Sequence, residues 1–414
     1  MDAKSPSIAV VGSGPSGCYA AQFLRKKWPD SEVVVFEALP VPYGLIRYGV
    51  APDHQGNKSV TQQFDRLFER DGIQFVGNIT VGRDVPFEEL RSSFDVVILA
   101  TGLESDRRLQ MGGDGRHGPT IGAGSLLKAL NGHPVFDGPK HSNGLPRHLG
   151  SKVAVVGNGN VAMDVIRLLA KRNEHLVGSD VADSRLKFLR TEGIERIDVI
   201  GRSPASLAKF DLSMLKEIVS LSHVKVVATG LDHVADDPVS ALLLRTMADH
   251  SIRLNSSAIT VCFHFNARPS AVRTMGETDL LTVEQGELPT HLELEVDCIV
   301  TAIGFERAGS NQDEWSGINV FKVGWLNSGG KGAIAANRRD AKDVVDTIIH
   351  AFDSGELRVG DGEGISSLAD FIGDKAVSFS GWRKIDDWER ANALEGRCRQ
   401  KILNVAEMID VATS

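Results

Sequence analysis

Two short glycine turns carry the chemistry this chain can do. Gly12-Ser13-Gly14-Pro15-Ser16-Gly17 and Gly157-Asn158-Gly159-Asn160-Val161-Ala162 each follow an apolar run rich in valine and open onto a helix-forming stretch. In such a strand–turn–helix the first glycine permits the tight turn, and the second lets backbone approach a pyrophosphate. The third small residue lets helix and strand pack closely, while the helix N-terminus faces the negative charge. Both turns are therefore candidate dinucleotide cradles, the second being a variant with Ala162 in third position. The residue that closes the next strand separates them. Glu37, after Val33-Val34-Val35-Phe36, can accept hydrogen bonds from a ribose diol. Arg202, after Ile197 to Ile200 and Gly201, can pair with a ribose 2'-phosphate that a carboxylate would repel. The second cradle thus points to NADP, with NAD as the alternative.

The elements that must position these turns are β-strands buried on both faces. Ser7 to Val11, the first glycine turn, a helix over Cys18 to Lys27 and Val33 to Glu37 form one βαβ unit. Lys152 to Val156, the second turn, a helix over Met163 to Lys171 and Ile197 to Ile200 repeat it. Asp95 to Gly102, ending in Ala100-Thr101-Gly102, and Cys298 to Gly304 are matching apolar strands, one for each unit. The expected fold is α/β: two Rossmann-like domains with central parallel sheets, the second inserted in the first. The expected division is 1–104 with 308–414 for the first, and 105–307 for the second. Gly112 to Gly118 and Val135 to Gly150, rich in Gly, Pro and His, read as surface connections. Residues from Ser378 onward read as a surface tail ending in an amphipathic helix, Arg397 to Asp410.

Composition narrows the functional classes. A chain of 414 residues with a formal net charge of -8 and no long basic run does not present a nucleic-acid or anionic-membrane surface. No stretch approaches roughly 18 continuous apolar residues, and the first strand begins close to the N-terminus, so a cytoplasmic protein without a targeting segment is the expectation. Cys18, Cys262, Cys298 and Cys398 show neither a CxxC nor a metal-ligand spacing. Disulfide chemistry beside a flavin needs two neighbouring cysteines, so that class is disfavoured, and no metal site is expected.

Directly after the Glu37 strand stands Pro42-Tyr43-Gly44-Leu45-Ile46-Arg47-Tyr48-Gly49-Val50-Ala51-Pro52-Asp53-His54. With it come Gly77-Asn78, Val81-Gly82, the second glycine turn with Asp164, Gly201-Arg202, Gly324-Trp325, Gly332-Ala333-Ile334 with Asn337 and Asp340, and the closing Trp382, Ile385-Asp386 and Gly396-Arg397. Together these resemble the adrenodoxin reductase type of ferredoxin–NADP reductase over nearly the whole chain. The resemblance implies FAD contacts from Gly12, Gly14, Pro15, Ser16, Glu37, Gly44, Leu45, Val81, Thr101 and Gly102. It implies flavin-ring contacts from Trp325 and the backbone of Gly332, Ala333 and Ile334. For NADP it implies Arg107, Asn158, Gly159, Asn160, Val161 and Arg202, and it makes His54 and Glu217 the polar pair near nicotinamide and flavin. Hydride transfer needs close ring stacking and a route for the accompanying proton, which suits such a pair.

The resemblance implies an enzyme that moves a hydride from NADPH to FAD and then single electrons to a ferredoxin-like iron–sulfur protein. The chain departs from the pattern at Ser203, where the family carries a second arginine, and at Met214, where it carries a glutamate. Leu326 to Gly330 and His233 to Asp237 replace basic docking segments, which weakens the attraction for an acidic ferredoxin. Two other readings therefore stay open: a flavoenzyme acting directly on a small organic substrate, and a flavin-binding protein that has lost nicotinamide turnover. Neither a monomer nor a homodimer is excluded.

Overall fold

The computed structural model describes residues 5–103, 105–113, 120–135, 139, 147–231, 237–250, 259–275, 278–286, 290–307, 315–330, 332, 334–360 and 362–414. The chain divides into two compact units, Met1–Glu104 with Phe305–Ser414, and the inserted Ser105–Gly304.

The first unit is built on a parallel sheet with strand order Val320–Lys322, Val96–Leu99, Ile8–Val11, Val33–Phe36, Gln74–Val76. Its strands are apolar throughout because both faces are covered. Ile8, Val10, Val33, Val35, Val96 and Ile98 face one core, and Ala9, Val11, Val34, Phe36, Val97 and Leu99 face the other. The helix Pro15–Lys27 begins three residues before the expected Cys18, at a proline that supplies the helical φ and needs no amide donor at the first turn. It packs beside Ile334–Asp353, with Trp28 edge-on to Phe352 at 5.2 Å.

The inserted unit carries a second all-parallel sheet, ordered Val224–Thr229, Ile259–His264, Arg196–Ile200, Lys152–Val156, Cys298–Thr301, Thr120–Gly122. A smaller sheet in the same unit is antiparallel through Ala267–Met275, Thr278–Gln285 and Thr290–Val296. The expected pair of dinucleotide-type parallel sheets is present, one in each unit. Gly112–Gly113 adds a short parallel strand to the smaller sheet, where a surface loop was expected. Residues 114–119, 136–138 and 140–146 of the expected connections lie outside the described residues. Among the described residues, no helix is long and apolar enough to cross a membrane.

The C-terminal segment differs from the expected surface tail. It folds as two helices, Phe379–Ala391 and Val405–Thr413, the second beginning eight residues after the expected Arg397. Trp382, Ile385, Asp386 and Glu389 are buried. Asp386 and Glu389 read as solvated in the sequence, but each has an arginine partner in the fold. Glu389 Oε1 accepts from Arg47 at 2.5 Å and Oε2 from Arg399 at 3.1 Å, while Asp386 accepts from Arg399 at 2.6 Å. Burial works against the charge on Asp386, yet Arg399 and Arg390 hold its carboxyl below the usual range. The Arg47 guanidinium lies 4.9 Å from the Trp382 ring centre, and the Lys401 ammonium donates to the Arg47 carbonyl at 3.1 Å. This ties the end of the chain to the helix Gly44–Tyr48, which belongs to the motif around Gly44 and His54.

Removing one partner of a buried ion pair leaves an uncompensated charge, so Glu389→Gln is expected to lower unfolding stability by about 3 kcal/mol. Arg390→Gln, which removes a solvent-exposed arginine while Asp386 keeps its bond to Arg399, is expected to cost under about 1 kcal/mol. Urea unfolding of both variants checks the contrast.

Candidate dinucleotide sites

Both glycine turns are built on the same contact. At Gly12, with φ 108°, a Cβ would lie 2.5 Å from the Ala100 carbonyl oxygen. At Gly157, with φ 122°, it would lie 2.3 Å from that of Ala302. The strands are tied in the same way around them. Gly12 N–H donates to Phe36 O at 2.8 Å and Ala100 N–H to Val11 O at 2.8 Å, as Gly157 N–H donates to Ile200 O at 2.9 Å and Ala302 N–H to Val156 O at 2.7 Å. In the first turn the third glycine is also forced, since a Cβ on Gly17 would sit 2.0 Å from Gly12 O.

The middle glycines differ from these. A Cβ on Gly14 or on Gly159 would meet nothing within 4 Å. Each is the N-cap of its helix, Pro15–Lys27 or Asn160–Ala170, and neither helix has a side-chain cap. Open space beside uncapped helix N–H groups is what a bound pyrophosphate requires, so both turns fit a dinucleotide.

In the first unit Glu37 stands at the strand end beside the turn. Its Oε2 accepts from Ser13 Oγ at 2.6 Å and Ser13 N–H at 3.1 Å, and its Oε1 from Leu39 N–H at 3.2 Å. Burial pushes the Glu37 carboxyl above its usual range, against the pull of these bonds. Ser13 Oγ also accepts from Tyr43 N–H at 3.2 Å. Tyr43 holds φ 80°, which is rare for a non-glycine residue, and its hydroxyl donates to Asp65. Gly44 follows with φ 39°, and a Cβ there would lie 3.5 Å from Gly14 Cα, so the motif begins against the turn itself. Ser13 and Tyr43 were not singled out from the sequence. Ser13 lies at a variable position of the glycine turn, and no local signal marks a positive φ at a tyrosine.

The remaining residues of this unit are spread around the same sheet edge. Gly324 backs onto Ser16, since a Cβ there would lie 2.1 Å from Ser16 Oγ, and its N–H donates to Asp340 at 2.5 Å. Trp325 stacks on Phe305 at 5.0 Å, and its indole Nε1 is buried without a hydrogen-bond partner among the described residues. An indole N–H left so can donate to a ligand acceptor or to water. Val81 is buried and Leu45 half-buried. Thr101 and Gly102 follow Ala100, with Gly102 at φ 74°. Gly332 takes φ 96° just before the helix that starts at Ile334. Ala333 lies outside the described residues. His54 is half-buried at the N-cap of the short helix Gln55–Lys58, its N–H donating to Ala51 O at 2.9 Å.

In the inserted unit Asn160 Oδ1 accepts from Asp211 N–H at 2.8 Å, which draws the loop after Arg202 toward the second turn. Arg202 and Arg107 are exposed, Val161 is half-buried, and the Asn158 amide nitrogen is buried without a partner among the described residues. Glu217, on Leu212–Ser220, accepts from Arg167 Nη1 at 3.0 Å and from Lys171 Nζ. Both cations lie on or just after the helix Asn160–Ala170. Met214 is buried beside it as an apolar side chain. The cysteines are free, three of them buried, and Cys18 donates its thiol hydrogen to Ser13 O at 3.2 Å.

This arrangement of two cradles belongs to a known class, and the chain is a member of the pyridine nucleotide-disulphide oxidoreductase family, whose model matches residues 6–328. It is 39% identical over 431 residues to cindoxin reductase of Citrobacter braakii, covering 98% of this chain and 91% of that protein. It is 32% identical over 456 residues to NADPH-ferredoxin reductase FprA of Mycobacterium tuberculosis, covering 98% of each. With mitochondrial NADPH:adrenodoxin oxidoreductase of Drosophila melanogaster it shares 30% over 445 residues, 98% of this chain and 93% of that one. The solved structure of Mycobacterium tuberculosis FprA in complex with NADPH matches 99% of this chain and 100% of its own, with a TM-score of 0.83 at 29% identity.

The two kinds of glycine make separate predictions. Gly14→Ala and Gly159→Ala are expected to leave the stability of the ligand-free protein within about 1 kcal/mol, while each weakens the dinucleotide at its own turn. Gly12→Ala and Gly157→Ala, which drive a Cβ into backbone at positive φ, are expected to lower stability by more than 1 kcal/mol, roughly. Thermal unfolding and dinucleotide titration of the four variants check this.

Proposed function

We propose that the protein is an FAD-dependent NADPH oxidoreductase that hands electrons singly to a ferredoxin-like iron–sulfur protein. The observation that carries the reading is the pair of dinucleotide cradles, one closed by Glu37 and the other by Arg202. Support comes from the similarity, along nearly the full chain, to proteins named as reductases of ferredoxin, cindoxin and adrenodoxin. Bound FAD supplies a hydride acceptor that can release its electrons one at a time.

The first unit, Met1–Glu104 with Phe305–Ser414, takes the FAD role. Gly12, Gly14, Pro15 and Ser16 receive the pyrophosphate, and Glu37, oriented by Ser13 and Leu39, accepts from the ribose. Gly44, Leu45, Val81, Thr101 and Gly102 line the dinucleotide. Trp325, with its unpartnered indole N–H, and Gly332, Ala333 and Ile334 meet the ring system. The inserted unit, Ser105–Gly304, takes NADPH, with Asn158, Gly159, Asn160 and Val161 at the pyrophosphate and Arg107 and Arg202 at the phosphate-bearing end. The nucleotide preference is NADPH over NADH because Arg202 offers a charge-assisted bond to the 2'-phosphate.

His54 handles the proton that accompanies hydride transfer. Glu217, fixed by Arg167 and Lys171, serves as a charged acceptor that orients the nicotinamide end. The protein acts in the cytoplasm, where a reduced nicotinamide pool and small iron–sulfur proteins meet.

The purified FAD-loaded protein is expected to reduce ferricyanide with NADPH, and to reduce cytochrome c only when a ferredoxin is added. NADPH oxidation that depends on a small organic substrate and ignores the ferredoxin would overturn the reading.

A further inference from the structure

A chain of polar side chains crosses three neighbouring strands of the inserted unit. Arg196 donates to Asp198 through Nε at 2.7 Å and Nη2 at 2.9 Å. His264 Nε2 lies 2.8 Å from Asp198 Oδ1, and His264 Nδ1 lies 3.0 Å from Thr229 Oγ1. Gln285 Nε2 donates to Thr229 Oγ1 at 2.9 Å and to Phe265 O at 2.9 Å. Asp198 and His264 are 1% and 5% exposed, whereas Thr229 is open to solvent.

Counting hydrogens leaves one of them undecided. Burial opposes the charge on Asp198, but His264 and Arg196 hold its carboxyl below the usual range, so it only accepts and His264 Nε2 carries a hydrogen. Both hydrogens of the Gln285 amide are used, so Thr229 Oγ1 accepts there. With Nδ1 of His264 bare, the Thr229 hydrogen points inward and a lone pair faces solvent. With Nδ1 protonated, the hydroxyl accepts on both sides and its hydrogen points outward. The other titratable groups around the relay are the Cys262 thiol, pushed up to about 11 chiefly by burial and then by Asp198, and Lys225, whose charge acts on that thiol. None of these replaces histidine as the residue type whose charge changes near neutral pH.

The relay ends where a nucleotide is expected. Thr229 and His264 close their strands on the carboxyl edge of a parallel sheet, the edge at which such sheets bind ligands. The Arg202 loop is tied to it by Gly201 N–H to His264 O at 2.9 Å and Asn266 N–H to Ser203 O at 3.2 Å. Asn266 Nδ2 in turn donates to Gly230 O at 3.2 Å. Asn266 holds φ 51°, a left-handed backbone uncommon outside glycine.

We propose that Thr229 reads the 2'-phosphate held at Arg202, and that His264 takes up a proton when a 2'-phosphorylated nucleotide binds. This rests on the reading that the second cradle takes NADPH. The protonated imidazole supplies a second positive charge on the strand whose end is tied to the loop of Ser203, where the resemblance carries a second arginine, and the outward hydroxyl donates to a phosphate oxygen. A nucleotide with a free ribose hydroxyl meets the lone pair of Thr229 and draws no proton. One proton leaves a solvent or buffer acid and forms the N–H bond at His264 Nδ1, and no other bond changes.

The test is calorimetric titration of the FAD-loaded protein with NADP+ and with NAD+ near neutral pH, in two buffers of different protonation enthalpy. NADP+ binding is expected to take up a proton, in part or whole, and NAD+ binding none. His264→Gln abolishes the uptake. Thr229→Val, at an exposed position, weakens NADP+ roughly tenfold, the scale of one hydrogen bond to a charged group, and Thr229→Ser restores it. A phosphate settling beside an arginine releases protons, so the sign separates the two sources. Buffer-independent heat, an uptake unchanged in His264→Gln, or an NADP+ affinity unchanged in Thr229→Val overturns the proposal. If NADP+ does not bind at all, the nucleotide reading of the second cradle fails and this inference falls with it.

Discussion

The structure depends on one steric constraint that it uses twice: a strand must turn into a helix where a second strand passes too close to leave room for a Cβ. Gly12 against Ala100 and Gly157 against Ala302 are the two instances. Each holds a positive φ that side chains resist, and each is fixed by backbone bonds to its neighbouring strands. From that turn follow the direction of the helix, the exposure of its first N–H groups, and the place where the next strand can end. Glu37 and Arg202 occupy that end in the two units, so the same scaffold carries opposite charges to equivalent positions.

Around this constraint the fold accepts several costly features. Tyr43 keeps a left-handed backbone because its amide bonds to Ser13 and its hydroxyl to Asp65. Glu37 keeps a buried carboxylate because three donors from Ser13 and Leu39 converge on it. Arg47 is buried against Glu389, which brings the last helices of the chain to the segment that begins at Gly44. Among the buried donors that lack a partner within the described residues are the Trp325 indole in one unit and the Asn158 amide in the other, each at a turn or motif where a dinucleotide belongs.

The cradles were legible in the sequence because their information is local. Valine-rich runs, glycines at fixed spacing and the residue closing the next strand all fall within one βαβ unit, Ile8 to Glu37 in the first unit and Lys152 to Arg202 in the second. The doubling of the fold and the acidic and basic strand ends were legible for the same reason. The C-terminal helix Phe379–Ala391 was not, because Asp386 and Glu389 look solvated until Arg399 and Arg47 arrive from elsewhere in the chain. Glu217 was expected beside His54 near the nicotinamide, and nothing local in the sequence announced its partners Arg167 and Lys171, which lie on another element. The Asp198 and His264 pair spans 66 residues and has no spacing motif. In each case the missing information was a partner that arrives from another element and compensates the charge.

The account makes one claim above the others: two cradles of one design hold a flavin dinucleotide and a nicotinamide dinucleotide and let a hydride pass between them. Anaerobic mixing of the FAD-loaded protein with NADPH and with NADH, followed at the flavin's visible absorbance, tests it most directly. The account predicts that NADPH bleaches the flavin, and does so at lower concentration than NADH. A flavin that stays oxidised with both nucleotides would contradict it.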